Sequence, residues 1–134
     1  MKHLIEWDES LSMGIADIDA QHKHFIGIIN QTYRAHLEKN KELMNETLND
    51  LIEYARIHFS TEENYFEKWD YPYSEEHIKE HEKLLLKTLE FRDKFDSGKC
   101  DCNKFLEFLK DWLENHLKTH DKKYSKYFME KGFI

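Results

Sequence analysis

The sequence predicts an all-α protein, an antiparallel up-down-up-down four-helix bundle. Its 134 residues include one Pro and four Gly, too few for the turns of a β-sandwich or barrel of this length. Apolar residues recur at steps of three, four and seven in four long segments, the period of amphipathic helices. Because 40% of the residues are hydrophobic, enough for one core, we expect a single domain that spans residues 1–134.

The predicted elements follow in chain order. Residues 1–16 show no sustained period, so we expect an extended arm folded over the bundle. We predict helices at residues 18–37, 41–69, 74–96 and 103–121, and a short terminal helix at about residues 122–130. Asn40 is the expected N-cap of the second helix. Ser74 is the expected N-cap of the third, with Tyr73 and Ile78 as a hydrophobic staple.

The composition narrows the classes of function. Acidic residues outnumber basic ones by 27 to 20, and the formal net charge of -7 argues against a nucleic-acid-binding surface, which would be basic. No apolar run approaches the roughly 18 to 20 residues of a membrane span, and residues 1–6 lack the apolar core of a signal peptide. We therefore expect a cytoplasmic protein with no nucleic-acid partner and no membrane insertion.

Polar residues on the apolar stripes of the helices are the unusual feature. Six of them share the phase of the surrounding Leu, Ile and Phe residues: His22, His58, Glu62, His77, His81 and His116. Burying one unpaired polar group costs about 1 to 3 kcal/mol, so the set would consume much of a net stability of about 5 to 15 kcal/mol. Metal binding offsets that cost better than a hydrogen-bonded polar core. One ion needs about three or four protein ligands, so the excess indicates two ions bridged by a carboxylate.

The other histidines differ from this set by position. His3 is in the arm, and His24 belongs on the solvated side of the first helix. His36 is in phase but near the helix end, so we expect it at the rim. His120 follows the histidine of the fourth helix by four residues and has the spacing of a chelate, whereas Asp121 is rotated about 140° away in an α-helix. Helical geometry alone favours His120.

Four motifs, one for each predicted helix, resemble those of the hemerythrin family. They are Asp19-Ala20-Gln21-His22, His58-Phe59-Ser60-Thr61-Glu62-Glu63, His77-Ile78-Lys79-Glu80-His81 and Trp112-Leu113-Glu114-Asn115-His116, the last followed by Asp121 and Tyr124. A single HxxxE or HxxxH motif is a poor signal, but four in this order and spacing rarely coincide. The resemblance is to single-domain bacterial hemerythrins and covers nearly the full length of the chain.

The resemblance implies a non-haem di-iron centre. The family's pattern has a carboxylate five residues after the histidine of the fourth helix, so the resemblance selects Asp121 over His120. It also implies two iron ions (Fe2+/Fe3+) with an oxo or hydroxo bridge. The implied ligands are His77, His81 and His116 for one iron, His22 and His58 for the other, and Glu62 and Asp121 as bridges. No ligand position is substituted in this sequence.

The activity implied by the resemblance is reversible dioxygen binding for oxygen carriage, storage or supply, by a binding protein rather than an enzyme. Dioxygen is expected at the iron with two histidines, which has an open position, and a protein that receives the oxygen is a further expected partner. Reversibility requires a dry pocket. Our candidates for its lining, each within four residues of a ligand, are Phe25, Phe59, Trp112 and Leu113. Ordinary core packing is the alternative role for these four, and both roles are compatible.

Several alternatives stay open. A ferritin-like iron store uses Glu-x-x-His pairs, and none of the nine His has Glu three residues before it. A di-iron redox enzyme or sensor that acts on peroxide or nitric oxide has the same scaffold. A metal-free or zinc-bound interaction bundle is the third, because imidazole also suits zinc and copper. Cys100 and Cys102 are expected to be inert, reduced thiols.

Overall fold

The computed structural model describes residues 3–99 and 101–134, and the regular structure in these residues is helical. The helices are α1 (Ala16–Leu37), α2 (Lys41–Lys68), α3 (Ser74–Asp96), α4 (Cys102–His116) and α5 (Lys122–Glu130). A single 3₁₀ turn, Glu9–Leu11, precedes α1, and a π-helical turn, Leu117–Asp121, joins α4 to α5. Cys100 lies outside the described residues, and Cys102 is the half-buried first residue of α4.

The first four helices form a closed bundle. α1 packs on α2, α2 on α3 and α3 on α4, and α4 returns to pack on α1. Short connections between consecutive helices make neighbours antiparallel. Each helix is amphipathic, and within the described residues none is long and apolar enough to cross a membrane. The predicted fold class is therefore confirmed.

The core has two parts along the bundle. The larger part contains apolar side chains of α1 to α4, such as Phe25, Leu48 and Leu109. The smaller part contains Phe66 from α2 and Phe128 from α5, with Met13 of the arm. The histidine-bearing segments of the four helices lie where these two parts meet, so apolar packing holds that region from both ends.

The N-terminal arm is bound to the bundle by specific hydrogen bonds. The Asn30 side chain on α1 accepts from the backbone N–H groups of Leu4 and Ile5 at 2.9 and 3.0 Å, and donates to the Ile5 carbonyl at 2.8 Å. At the other end, the Ser125 hydroxyl donates to the Met13 carbonyl at 2.6 Å. The arm therefore covers the bundle as expected, although it includes a 3₁₀ turn and is not extended throughout.

The starts of α2 and α3 test the two predicted N-caps. Asn40 caps α2 as predicted, because its side chain accepts a hydrogen bond from the Leu43 N–H at 3.1 Å. The prediction for α3 was wrong: Ser74 is the first helical residue, and Tyr73 occupies the cap position without a side-chain hydrogen bond. Tyr73 is 46% exposed and is itself the cap residue, whereas a hydrophobic staple begins at the residue before the cap. The Tyr73 ring lies under the Lys123 ammonium, 3.7 Å from Nζ.

Candidate metal centre

Seven polar side chains from all four helices of the bundle and from the π-helical turn converge in its interior. Each is at most 3% exposed: His22, His58, Glu62, His77, His81, His116 and Asp121. Six of them are the residues that share the apolar phase of their helices, and Asp121 is the residue that the family resemblance selected over His120. Their common apolar phase brings six of them inward, as expected for positions on the buried stripe of an amphipathic helix.

The side chains form two clusters that share one carboxylate. In the first, one ligand atom from each of Glu62, His77, His81 and His116 lies within 4.8 Å of every other. In the second, the same holds for His22, His58 and Glu62. The first, the three-His cluster, therefore has one more imidazole than the second, the two-His cluster.

Asp121 and Glu62 both reach across the two clusters. Oδ1 of Asp121 is 3.0 Å from Nε2 of His77, and its Oδ2 is 3.2 Å from Nε2 of His22. Oε1 of Glu62 is 3.0 Å from Nε2 of His81 and 3.2 Å from Nε2 of His58. Each carboxylate thus faces imidazoles of both clusters, an arrangement suited to bridging two ions.

The π-helical turn explains why Asp121 is inside and His120 is not. In this turn the hydrogen bond runs from residue i to residue i+5, so one extra residue is accommodated and the i+5 position moves towards the face that i+4 has in an α-helix. Asp121, five residues after His116, is completely buried, with Oδ1 3.0 Å from Nε2 of His116. His120 is at the partly exposed rim, with Nε2 3.4 Å from Oε1 of Glu80.

The buried donor set fits metal ions. The following atoms are buried and have no hydrogen-bond partner within residues 3–99 and 101–134: both ring nitrogens of His22 and His116, Nε2 of His77 and both oxygens of Asp121. The Nε2 atoms among them lie close to the Asp121 oxygens without making hydrogen bonds to them. Two ligand atoms at right angles, each about 2.1 Å from one ion, are about 3 Å apart. The oxygens of Asp121 are 3.0 to 3.2 Å from Nε2 of His22, His77 and His116. Imidazole with carboxylate suits first-row transition metals, including iron.

The remaining histidines lie outside the two clusters. His3 is exposed beside Glu6, and His24 is exposed with its ring against Tyr54. His36 is near the end of α1, where its Nε2 is 2.9 Å from the Asn103 amide oxygen. Each has the position that the sequence predicted for it, in the arm, on the outer side of α1 or at the rim.

The structure adds outer contacts that sequence reasoning missed. Nδ1 of His58 is 2.8 Å from Oε1 of Gln21, and Nδ1 of His81 is 3.1 Å from Oε2 of Glu63. The Tyr124 hydroxyl donates a 2.5 Å hydrogen bond to Glu62. In the sequence, Gln21 directly precedes His22 and Glu63 directly follows Glu62, and both belong to the motifs quoted above, but nothing in those motifs indicates which histidine each side chain contacts. Such contacts orient a ligand and set its basicity.

Burial and the neighbouring charges shift the pKa values of the site residues in opposite directions. Burial alone raises the pKa of Glu62, but the charges and hydrogen bonds of the surrounding histidines, chiefly His58, hold that pKa well below its usual range. Burial opposes protonation of His77, yet the nearby carboxylates of Asp121 and Glu62 raise its pKa to about 9. Burial lowers the pKa of His116. The raised pKa of His77 favours a protonated ring beside the two carboxylates when no metal is bound.

Aromatic rings surround the two clusters unequally. Phe59 stacks on His81 with ring centroids 3.8 Å apart, and Trp112 stacks on His116 at 4.4 Å. Phe25 is 6.3 Å from the His58 ring, edge to face. Phe59 and Trp112 thus cover the three-His cluster, whereas Phe25 lies beside the two-His cluster. Leu113, 3% exposed, belongs to the same core cluster as Phe25.

Comparisons with known proteins place similar chains in one family. Residues 13–128 match the family model described as the hemerythrin HHE cation binding domain. A bacteriohemerythrin of Pseudomonas aeruginosa is 33% identical over 124 residues, 92% of this chain and 80% of that protein. One from Stenotrophomonas maltophilia is 29% identical over 122 residues, 91% of this chain and 80% of that protein. A crystal structure of wild-type hemerythrin superposes with a TM-score of 0.85 at 28% identity, over 92% of this chain and 96% of the other.

Proposed function

Because the chain belongs to the hemerythrin family, we propose that it binds dioxygen reversibly at a non-haem di-iron centre. The observation that carries this proposal is the pair of unequal histidine clusters that share Glu62 and are both faced by Asp121. Two iron ions (Fe2+/Fe3+) with an oxo or hydroxo bridge are the cofactor that we propose for this donor set.

The proposed ligands divide between the two ions. His77, His81 and His116 would hold one iron, and His22 and His58 the other. Glu62 and Asp121 would bridge them, a role supported by the oxygens of each carboxylate that face imidazoles of both clusters. A pair of irons supplies the two electrons that dioxygen takes up on binding and gives back on release.

The protein would contribute two clusters with different numbers of imidazoles, and apolar side chains that keep water away from them. The two-His cluster supplies one imidazole fewer, so an ion held by His22 and His58 would have a position left for a small ligand. Phe25, at the ring of His58, is 1% exposed, and Leu113 is buried in the same part of the core. We propose that these two side chains exclude water at this position, while Phe59 and Trp112 hold the rings of the three-His cluster by stacking.

Carriage, storage or supply of dioxygen is the role that we favour over catalysis. All seven proposed ligands are buried, and the site has apolar walls. A reversible ligand needs this exclusion of water and protons, because either one promotes irreversible oxidation of the metal pair.

Metal analysis and oxygen cycling test the proposal. We expect about two irons for each chain, and a visible absorption band that appears when oxygen is added to the reduced protein and disappears when oxygen is removed. His22→Ala should abolish the band, whereas His24→Ala, two residues away on the exposed side of α1, should retain it. Zinc or no metal in protein made with adequate iron would refute the proposal.

Two further outcomes point to other functions. Uptake of much more than two irons for each chain would indicate an iron store. Turnover of peroxide or nitric oxide without a reversible band would indicate a redox enzyme.

A further inference from the structure

Two histidines, one from each cluster, are held from outside by groups of different charge. Nδ1 of His81 is 3.1 Å from the carboxylate of Glu63. Nδ1 of His58 is 2.8 Å from the side-chain oxygen of Gln21, whose amide in turn donates to the Thr61 hydroxyl at 3.2 Å. Because Nε2 of both rings faces the inner carboxylates, we assign the proton of each ring to Nδ1, which donates outward.

We propose that Glu63 is a positioning residue that makes His81 a stronger electron donor than His58 and so stabilises the oxidised ion in the three-His cluster. The inference rests on the proposed di-iron function and deepens it. The two clusters then differ in the strength of their donors as well as in their number.

The physical reason is the charge of the acceptor. A carboxylate that accepts the imidazole N–H draws the proton towards itself, which leaves more negative charge on the ring and raises the basicity of the nitrogen that faces the metal. A more basic ligand favours the ion with the higher charge, and therefore lowers the reduction potential. The amide of Gln21 is neutral and has a much smaller effect.

The position of Glu63 on α2 supports this role. Phe59 is four residues earlier on the same helix, so the two side chains are neighbours on one face. Phe59 stacks flat on the His81 ring, with 6° between the planes, and Glu63 bonds to the edge of that ring. Together they fix both the plane and the rotation of His81.

Solvent reaches Glu63 from one side. Its side chain is 35% exposed and lines a groove of about 420 Å³ between α2 and α3. Water there screens part of the carboxylate charge, so the effect on His81 depends on the direct hydrogen bond. Glu82 lines the same groove, and in the described part of the chain it makes no hydrogen bond or ion pair with a cluster histidine. It offers a control with the same charge in the same groove, at a more exposed position.

Charge exchange between the two outer positions tests the inference. The variants are Glu63→Gln, Gln21→Glu and the double exchange, with Glu82→Gln as the control. The measurements are the reduction potential of the iron-loaded protein and the affinity of the metal-free protein for cobalt(II), whose visible spectrum reports its ligands. Circular dichroism checks that each variant is folded.

We expect Glu63→Gln to raise the reduction potential and to lower the cobalt affinity of the three-His cluster by about 10- to 100-fold. Gln21→Glu should lower the potential and strengthen binding at the two-His cluster. Glu82→Gln should leave the reduction potential and the cobalt affinity unchanged, because within the described residues the Glu82 carboxylate makes no hydrogen bond to a proposed ligand.

The inference is overturned if Glu63→Gln has the wild-type potential and cobalt affinity, or if Glu63→Gln and Glu82→Gln shift both equally. A loss of cobalt affinity without a change of potential would also overturn it, since Glu63 would then be structural only. If the protein binds no iron pair, the proposed function fails, while the cobalt titration still decides whether Glu63 acts on His81.

Discussion

His120 and Asp121 are adjacent in the chain but face different environments. Asp121 is completely buried between the two histidine clusters, whereas His120 is directed to the rim, 3.4 Å from Glu80. The π-helical turn that contains both residues produces this divergence, because it places the fifth residue after His116 on the inner face. π-Helical turns are rare in proteins, and those that do occur are frequently found at functional sites.

Replacing Asp121 by Ala should remove at least one of the two irons from each chain. Both oxygens of Asp121 lie close to imidazole nitrogens, 3.0 Å from His77 and 3.2 Å from His22, so both proposed ions lose a ligand. Iron content of protein purified with adequate iron supply measures the effect. His120→Ala is the matched control and should keep the wild-type content. The reverse result, with iron lost only from His120→Ala, would show that the π-helical turn is not the ligand-bearing conformation.

Trimming Phe25 to Leu should leave two irons bound yet speed the decay of the oxygenated form. The ring of Phe25 lies beside His58, so a smaller side chain opens a path for water to the two-His cluster. Leu113→Ala should act in the same way. Decay of the oxygen-dependent absorption band, followed at several pH values, gives the rate.

A control for the stability of these variants is needed, because such cavities destabilise a core by about 2 to 5 kcal/mol. Leu48→Ala removes an equally buried side chain from α2, ten residues before His58. Leu48→Ala should lose as much stability as the Phe25 and Leu113 variants, but its absorption band should decay at the wild-type rate. Equal decay in all three variants would assign Phe25 and Leu113 to core packing alone.

The metal-free and metal-bound proteins should respond to pH in opposite ways. The nearby carboxylates of Asp121 and Glu62 outweigh the effect of burial and raise the pKa of His77 from 6.5 to about 9. The stability that this group contributes is complete below pH 6.5 and is lost as the pH rises towards 9. The metal-free protein should therefore become less stable over that range. Metal requires unprotonated histidines, so the stabilisation by metal should increase over the same range.

Denaturant midpoints at several pH values between 6.5 and 9, with and without metal, check this expectation. The lowered pKa of Glu62 adds a limit on the acid side, since its contribution is present above its usual value of 4.5 and is lost as the pH falls below it. His77→Gln should weaken the dependence of the metal-free protein. A metal-free protein that gains stability towards pH 9 would contradict the ion pairing seen in the site.

Replacing Asn30 by Ala should release the N-terminal arm and destabilise the protein by about 1 to 3 kcal/mol. The Asn30 side chain makes three hydrogen bonds to the backbone of Leu4 and Ile5, and its loss leaves partly buried backbone groups unpaired. Chemical denaturation measures the loss, and limited proteolysis detects the released arm. Gln31→Ala, at the neighbouring exposed position, should change neither. An arm that stays protected in Asn30→Ala would show that its apolar contacts are sufficient.

Most of the fold was predictable because it depends on local periodicity. The apolar stripes predict the helices, and their phase places six of the seven site residues inward, since a helix turns by a fixed angle for each residue. Asn40 was predictable as a cap because its hydrogen bond is made within one turn. Ser74 was not, because Tyr73 lies at the cap position, where its ring packs against Lys123 of another helix.

The sequence by itself therefore determined the helical bundle and the inward set of five histidines and Glu62, because each follows from a period that neighbouring residues impose. The tertiary structure decided the last ligand position and the outer contacts. A π-helical turn depends on what its residues contact, and here it brings the buried Asp121 towards imidazoles of three helices. The contacts of Glu63 with His81 and of Gln21 with His58 likewise join different helices. No local period encodes which residue of one helix meets which residue of the next.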